Sequence, residues 1–244
     1  MKLLAFDTST DTLSIAVQRS VGGAAQIWQY QGAGGAQASN ALIATVLDLL
    51  QQAGLRLGEL DAICFGNGPG SFTGLRTACA VAQGLAFGAN VPVLPVDSLL
   101  AVAETARHAQ LADQSAGQVM ALLDARMDEM YVATFAFCGA QWQRQSAAHL
   151  VRPESLELDA TQPALSLAGN VFEVYAARLA LKGALRCIAA LPSAGAMLRL
   201  APQLLAEGRA VSAAQALPTY VRDKVAQTTD ERAAIKAAQA GAAS

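Results

Sequence analysis

Histidine is almost missing from this chain, with only His108 and His149 among 244 residues, far from each other and from any serine in a recognisable nucleophile context. A serine–histidine relay needs an imidazole beside the nucleophile, and a histidine-based zinc centre needs several imidazoles at short spacing. Neither pattern is present. Cys64, Cys79, Cys138 and Cys187 are dispersed with no C-x-x-C pair, which reads as reduced core residues rather than a disulfide framework or metal knuckle. Charge is also scarce: 17 Lys and Arg stand against 19 Asp and Glu, a net charge of -2. An autonomous nucleic-acid binder carries a basic footprint that this balance lacks, so another chain must supply the grip if RNA is involved. No uninterrupted apolar run approaches the ~20 residues of a membrane span. The opening KLLAFD meets an acid at Asp7 and lacks the basic segment of a signal peptide. A cytoplasmic protein without membrane contact is expected.

What the chain has is apolar content, 53% over 244 residues, enough for one large core or two lobes of about 100 residues each. Residues 2–7 read as a buried strand, 12–18 and 25–31 as two more, with the turn Asp7-Thr8-Ser9-Thr10 after the first. Leu42, Val46, Leu49 and Leu50 recur at helical spacing over 38–53, with Gly54 as the C-cap. A strand at 61–66, a helix at 72–88, a strand at 91–94 and a helix at 98–107 follow. In the second half, 118–126 and 129–137 read as paired strands, 141–151 as a third, 164–169 as another strand, and 171–180 and 194–207 as helices. This order suggests one lobe of the actin/Hsp70/sugar-kinase architecture and a shorter, helix-poorer second lobe. The polar, alanine-rich 226–244 reads as a frayed helix or disordered tail.

Between the strand at 61–66 and the helix at 72–88 lies GNGPGSFTGLR, a composition that often cradles phosphate. Three motif tests fail at definite residues. A P-loop needs G-x-x-x-x-G-K-[ST], but five residues after Gly66, Gly68 and Gly70 stand Ser71, Thr73 and Leu75, and no lysine follows. A dinucleotide fingerprint G-x-G-x-x-G meets Ser71 or Thr73 where its last glycine belongs. A nucleophile elbow around Ser71 finds Pro69 and Thr73 in place of glycines. The structural reading needs no ligand: Gly68-Pro69-Gly70 turns the chain and Ser71 caps the helix, accepting from Thr73 or Gly74. On that helix Leu75, Cys79, Ala82, Leu85 and Ala86 form a core stripe. Thr73, Thr77, Ala80, Gly84 and Gly88 form a small-residue stripe, which suits either a second helix at close range or tight packing on the helix's own sheet.

LLAFDTSTDTLSIAV, FGNGPGSFTGLRTACAVAQGLAFG, LLDARMDEMYVATF and YVRDKVAQT together resemble the TsaB family of tRNA threonylcarbamoyladenosine biosynthesis proteins, in order and over nearly the whole chain. The resemblance implies an α/β, two-lobed actin/Hsp70/sugar-kinase-like (ribonuclease H-like) fold, with mixed sheets flanked by helices and a degenerate second lobe. We divide it as 1–107, 108–225 and the tail 226–244. The resemblance further implies a non-catalytic scaffold that pairs with a TsaD-like catalytic subunit, helps recruit a TsaE-like ATPase, dimerises with itself when alone, and meets tRNA only through the complex. It implies no cofactor of its own, ATP and a metal belonging to the partners. The catalytic sister carries an H-x-x-x-H metal pair, and the corresponding Ser98 and Val102 cannot replace it. Partner-interface residues are expected at Ala38, Leu42, Thr45, Ser71, Phe72, Thr73, Arg76, Thr77, Ala80 and Gly84. Asp7, Thr8, Ser9 and Thr10 are expected to be a vestigial nucleotide site, the alternative being an ATP-dependent small-molecule transferase that uses the Asp7 turn. Asp124, Arg126, Glu129 and Tyr131 stand as a family signature, readable as an ion pair and strand residues.

Overall fold

Side chains alternate across a strand, and in β1 (Lys2–Asp7) both sets are buried: Leu3 and Ala5 on one face, Leu4 and Phe6 on the other. Such a strand belongs in the middle of a sheet. In the structure, a computed structural model that describes residues 1–35, 38–158, 165–181 and 186–222, β1 lies between β2 (Thr12–Val21), antiparallel, and β4 (Ala62–Gly68), parallel. With β3 (Ala24–Ala33) and β5 (Val93–Asp97) the order is β3-β2-β1-β4-β5. The helices α1 (Ala38–Gln52) and α2 (Phe72–Ala89) cover the Leu4/Phe6 face, while α3 (Ser98–Gln110) and α4 (Ala194–Ala206) cover the Leu3/Ala5 face.

The second sheet comprises β6 (Ala116–Asp124), β7 (Met130–Cys138), β8 (Gln141–Arg144), β9 (His149–Val151), β10 (Leu165–Gly169) and β11 (Arg186–Ala189). Its order is β11-β10-β6-β7-β8, with β9 also on β7. Val119, Ala121, Tyr131 and Phe135 pack on the same α3/α4 layer, and Leu122, Met130, Val132 and Leu167 pack outward on Val171, Tyr175 and Leu179. The two sheets thus sandwich two helices, with α1 and α2 outside the first sheet. Among the described residues no helix is long and apolar enough to cross a membrane.

Several expected elements differ. The strand read at 91–94 runs instead over Val93–Asp97. The strand read at 141–151 is two, because the amides of Gln145 and Ser146 both converge on the Thr134 carbonyl and interrupt the ladder. The helix read at 171–180 is a series of turns: Tyr175 and Leu179 donate to carbonyls four residues back, but Arg178 reaches only three back. The strand at Arg186–Ala189 was not anticipated. The segment expected in the second lobe, 108–225, does not stay there, since α4 packs on β1 and β2 and the chain after it returns to the first sheet, bridging Val211 to Val93. The tail at 226–244 lies outside the described residues.

One buried charge ties the central layer together. The Glu104 carboxylate on α3 accepts from Arg107 Nε (2.7 Å), Arg199 Nε of α4 (2.6 Å) and Trp142 Nε1 of β8 (3.0 Å). Burial pushes its pKa up, but these bonds outweigh that and hold it below the usual carboxylate range. Removing one member of a buried charge network leaves its partners uncompensated, so Glu104→Ala is expected to cost about 3–5 kcal/mol in chemical denaturation at neutral pH. Because the folded pKa is depressed, the Glu104 contribution is present above the unfolded carboxylate pKa and is lost as pH falls through the folded value. The gap between parent and variant therefore narrows in acid.

Candidate functional site: a closed first turn and an open helix face

The turn after β1 is filled by protein. Asp7 is only 1% exposed, and its Oδ1 accepts from the Ser9 amide (2.8 Å) and the Ser9 hydroxyl (2.7 Å). Ser98 Oγ approaches the other oxygen at 3.5 Å. This is the Asx-type turn that the residue pattern allows. The glycine loop seals it from outside. A Cβ on Gly66 would collide with the Asp7 carboxylate, and one on Gly74 would collide with the Thr8 carbonyl. The contact is stitched by Ser71 N–H donating to the Ser9 carbonyl (2.7 Å) and Thr8 Oγ1 donating to the Gly74 carbonyl (2.7 Å). The glycines therefore admit another loop at close range. Ser71 caps α2, accepting from Gly74 N–H at 3.5 Å.

Burial, more than the three hydrogen bonds can offset, pushes Asp7 up to about 6. Ser98 and Val102, the positions where the resemblance led us to look for a metal pair, are both fully buried. His108 and His149 are exposed, at the end of α3 and in β9. Among the described residues no three His, Cys, Asp or Glu side chains come together as a metal site.

The interface residues expected on α1 and α2 separate into three groups. Thr73, Ala80 and Gly84 are exposed on one outward stripe of α2, with Thr77 half-buried beside them. Gly84 and Gly88 have nothing within 4 Å of a built Cβ, so the small stripe does not pack on the helix's own sheet. Ser71 and Phe72 instead line an interlobe cleft of about 310 Å³, with the Arg76 guanidinium over the Phe72 ring at 3.9 Å. There Tyr220 stacks on Phe72 with 5.4 Å between ring centroids, and its hydroxyl accepts from Arg76 Nε at 3.1 Å. Leu42 is a correction: it is fully buried, because α1 turns its Leu42/Val46/Leu49 stripe onto the sheet. Thr45 is half-buried, and the surroundings of the Ala38 side chain lie outside the described residues.

Residue patterning alone missed the exposed apolar residues Ile43 (46%), Leu47 (49%) and Phe87 (83%). The available signal was Ile43 and Leu47, four apart and off the core stripe of α1. It also missed a strap. After Val211 the chain crosses α2, with Gln83 Nε2 donating to the Ala216 carbonyl (2.9 Å) and Thr219 N–H to the Asn67 carbonyl (2.6 Å). It then reaches the second lobe, where Arg222 pairs with Glu129 at 2.6 Å.

That pair explains part of the LLDAR-x-x-E-x-Y signature. Arg126, Met127 and Asp128 all have positive φ (59°, 56° and 61°), a costly run for residues with side chains that needs external support. Arg222 supplies it through Glu129 and the Arg126 carbonyl (3.3 Å), while Asp124 accepts from Arg126 N–H (2.9 Å) and Tyr175 Oη (2.8 Å). Arg126 also reaches Asp11 of the first lobe at 2.5 Å, though both are exposed and the pair contributes little energy.

Residues 34–230 match the family described as TsaD, tRNA N6-adenosine threonylcarbamoyltransferase. The Haemophilus influenzae tRNA threonylcarbamoyladenosine biosynthesis protein TsaB is 32% identical over 92% of this chain and 95% of its own length. The chain belongs to the TsaB family. The Escherichia coli TsaB is 29% identical over 93% of the chain and 96% of its own length. The solved structure of YeaZ from Pseudomonas aeruginosa superposes with a TM-score of 0.79 at 35% identity, covering 90% of this chain and 99% of that one. The fold is accordingly the two-lobed α/β one of the TsaB family, with mixed sheets flanked by helices.

The Asp7 geometry gives a direct test. A raised folded pKa stabilises the fold below the unfolded value of 3.8, and that contribution is lost as pH rises through about 6. Asp7→Asn keeps an acceptor for Ser9 and removes the buried charge. Urea denaturation is expected to find the variant equal to the parent near pH 4 and more stable by about 2–3 kcal/mol above pH 7. A variant less stable than the parent at both pH values would contradict this assignment.

Proposed function

We propose that this chain is a non-catalytic scaffold subunit in threonylcarbamoyl transfer to N6 of adenosine 37, in tRNAs reading codons that begin with A. It acts by dimerising with a TsaD-like catalytic subunit in the cytoplasm and helping to recruit a TsaE-like ATPase. Family membership supports the pathway. The observation that carries the scaffold role is the open α2 stripe: Thr73, Ala80, Gly84 and Gly88 are exposed beside Phe87. Glycine inside a helix costs about 1 kcal/mol against alanine, and nothing in the described chain covers Gly84 or Gly88 to compensate. A helix from a partner of the same fold supplies that contact, with Ile43 and Leu47 of α1 as apolar flanks. The same stripe serves self-association when the catalytic partner is absent. ATP and metal sit on the partners in this reading, and tRNA is met only through the complex.

The competing transferase reading requires the Asp7 turn to open, against the Ser9 bonds and the Gly66 and Gly74 packing. ATP hydrolysis by the purified chain, abolished by Asp7→Ala, would favour it. The scaffold reading is tested by Gly84→Arg, whose side chain projects into open space in the isolated chain. The variant is expected to keep the parent's unfolding midpoint and to bind the TsaD-like subunit at least tenfold more weakly, a loss of about 1.4 kcal/mol or more. An unchanged heterodimer on a sizing column would overturn the proposal.

A further inference from the structure

The strap that follows Val211 is joined to the rest of the fold at few points. Over 214–222 only Ala216 is buried, while Leu217 (67%) and Tyr220 (43%) stand in solvent. A segment with so little buried apolar surface belongs to the low-stability end of a structure, where local opening precedes global unfolding. Its departure does not separate the lobes, because α3 and α4 form a core common to both sheets.

The strap is held by a row of polar contacts that begins on one lobe and ends on the other. On the first lobe, Cys79 Sγ and Gln83 Nε2 of α2 donate to the Ala216 carbonyl at 3.4 and 2.9 Å. Asn67 Nδ2 donates to Thr219 Oγ1 at 3.0 Å, and Tyr220 follows on Phe72 and Arg76. On the second lobe, Arg222 bonds Glu129 Oε2 (2.6 Å) and the Arg126 carbonyl (3.3 Å), with Met127 Sδ 3.1 Å away. Arg126 and Met127 belong to the run of positive φ. Asp124 and Arg178 hold that run from its own lobe, and Arg222 is the hold that comes from the strap. Strained backbone persists only where its surroundings over-determine it. The turn therefore relaxes when Arg222 leaves, and it must re-form before Arg222 can dock again.

We propose that residues 216–222 are a latch, released as one unit with the Arg126–Asp128 turn, that opens the interlobe cleft while both lobes stay folded. The latched form covers the first turn of α2. Release frees the Phe72 ring from Tyr220 and Arg76 Nε from its phenol acceptor, so that the open cleft presents an aromatic ring beside a guanidinium. The latch lies beside the open α2 stripe and not on it. The isolated chain tests it, so its failure leaves the scaffold reading untouched.

Cys79 reports the latch. Its thiol lies against the Ala216 carbonyl and the residue is 5% exposed, whereas Cys64 in β4 is fully buried and reports unfolding of the lobe. In the full chain, with the exposed Cys138 and Cys187 changed to serine, alkylation by N-ethylmaleimide is followed at each thiol by mass spectrometry. Cys79 is expected to label at least tenfold faster than Cys64. Arg222→Ala, at the far end of the strap, and Glu129→Gln, which weakens its acceptor on the second lobe, are each expected to speed Cys79 at least threefold and to leave Cys64 unchanged. If Arg222→Ala fails to fold, Cys64 labels with Cys79 and Glu129→Gln decides. In the reverse direction, Gln83→Ala on α2 is expected to raise deuterium exchange in the 125–129 turn of the other lobe, where the Glu129 amide bonds the Arg126 carbonyl at 3.2 Å. A Cys79 that labels only as fast as Cys64, or whose rate the second-lobe variants leave unchanged, would overturn the latch. A turn that exchanges at the parent's rate in Gln83→Ala would overturn its release as one unit with the strap.

Discussion

The close approach of two loops, the glycine loop before α2 and the turn after β1, is the constraint on which the rest of the site depends. Gly74 meets the Thr8 carbonyl with no room for a Cβ, and the Ser71–Ser9 and Thr8–Gly74 bonds sew the contact together. That contact has two consequences. It closes the turn in which Asp7 sits, and it fixes where α2 begins and therefore which of its faces points outward. A loop that looks suited to phosphate is occupied by the protein itself, and the surface left over is a helix face.

The central layer fixes the rest. Both sheets share α3 and α4, so the lobes are joined by a common core as well as by the cleft-spanning strap. The Glu104 network locks that layer from within, while Arg222 holds the strained Arg126-Met127-Asp128 turn from outside. The strap crosses α2 along the flank between its sheet-facing residues and the open stripe, with Ala216 near Cys79 and Gln83. One helix thus carries an intramolecular contact on one flank and a bare surface beside it.

Much of this was legible in the residues. The continuous apolar run in KLLAFD and the stripes of α1 and α2 pointed to the first lobe, and Ser71 was readable as a cap because hydroxyl residues before an apolar helix accept from its first amides. Gly54, read as the end of α1, has φ +61°, as a C-cap requires. What was not legible depends on contacts distant in sequence. Leu42 looked available because periodicity identifies a stripe without saying whether it is the stripe that meets the sheet. Phe72 and Arg76 looked free for a partner because nothing local announces that Tyr220 comes back to pack on the Phe72 ring and bond Arg76. The strand at Arg186–Ala189 is short and begins with an arginine, so its pairing with β10 leaves little signal in composition.

The central claim, that this chain contributes a docking surface and no chemistry, is tested most directly by reconstituting tRNA threonylcarbamoylation. The catalytic sister, the ATPase and the enzyme that makes the threonylcarbamoyl adenylate are supplied, and modified adenosine 37 is quantified. The account predicts that modification is lost when this chain is omitted and is restored in full by Asp7→Asn, which removes the buried carboxylate of the first turn. Modification that proceeds without the chain, or that fails with a folded Asp7→Asn protein still bound to its partner, would contradict it.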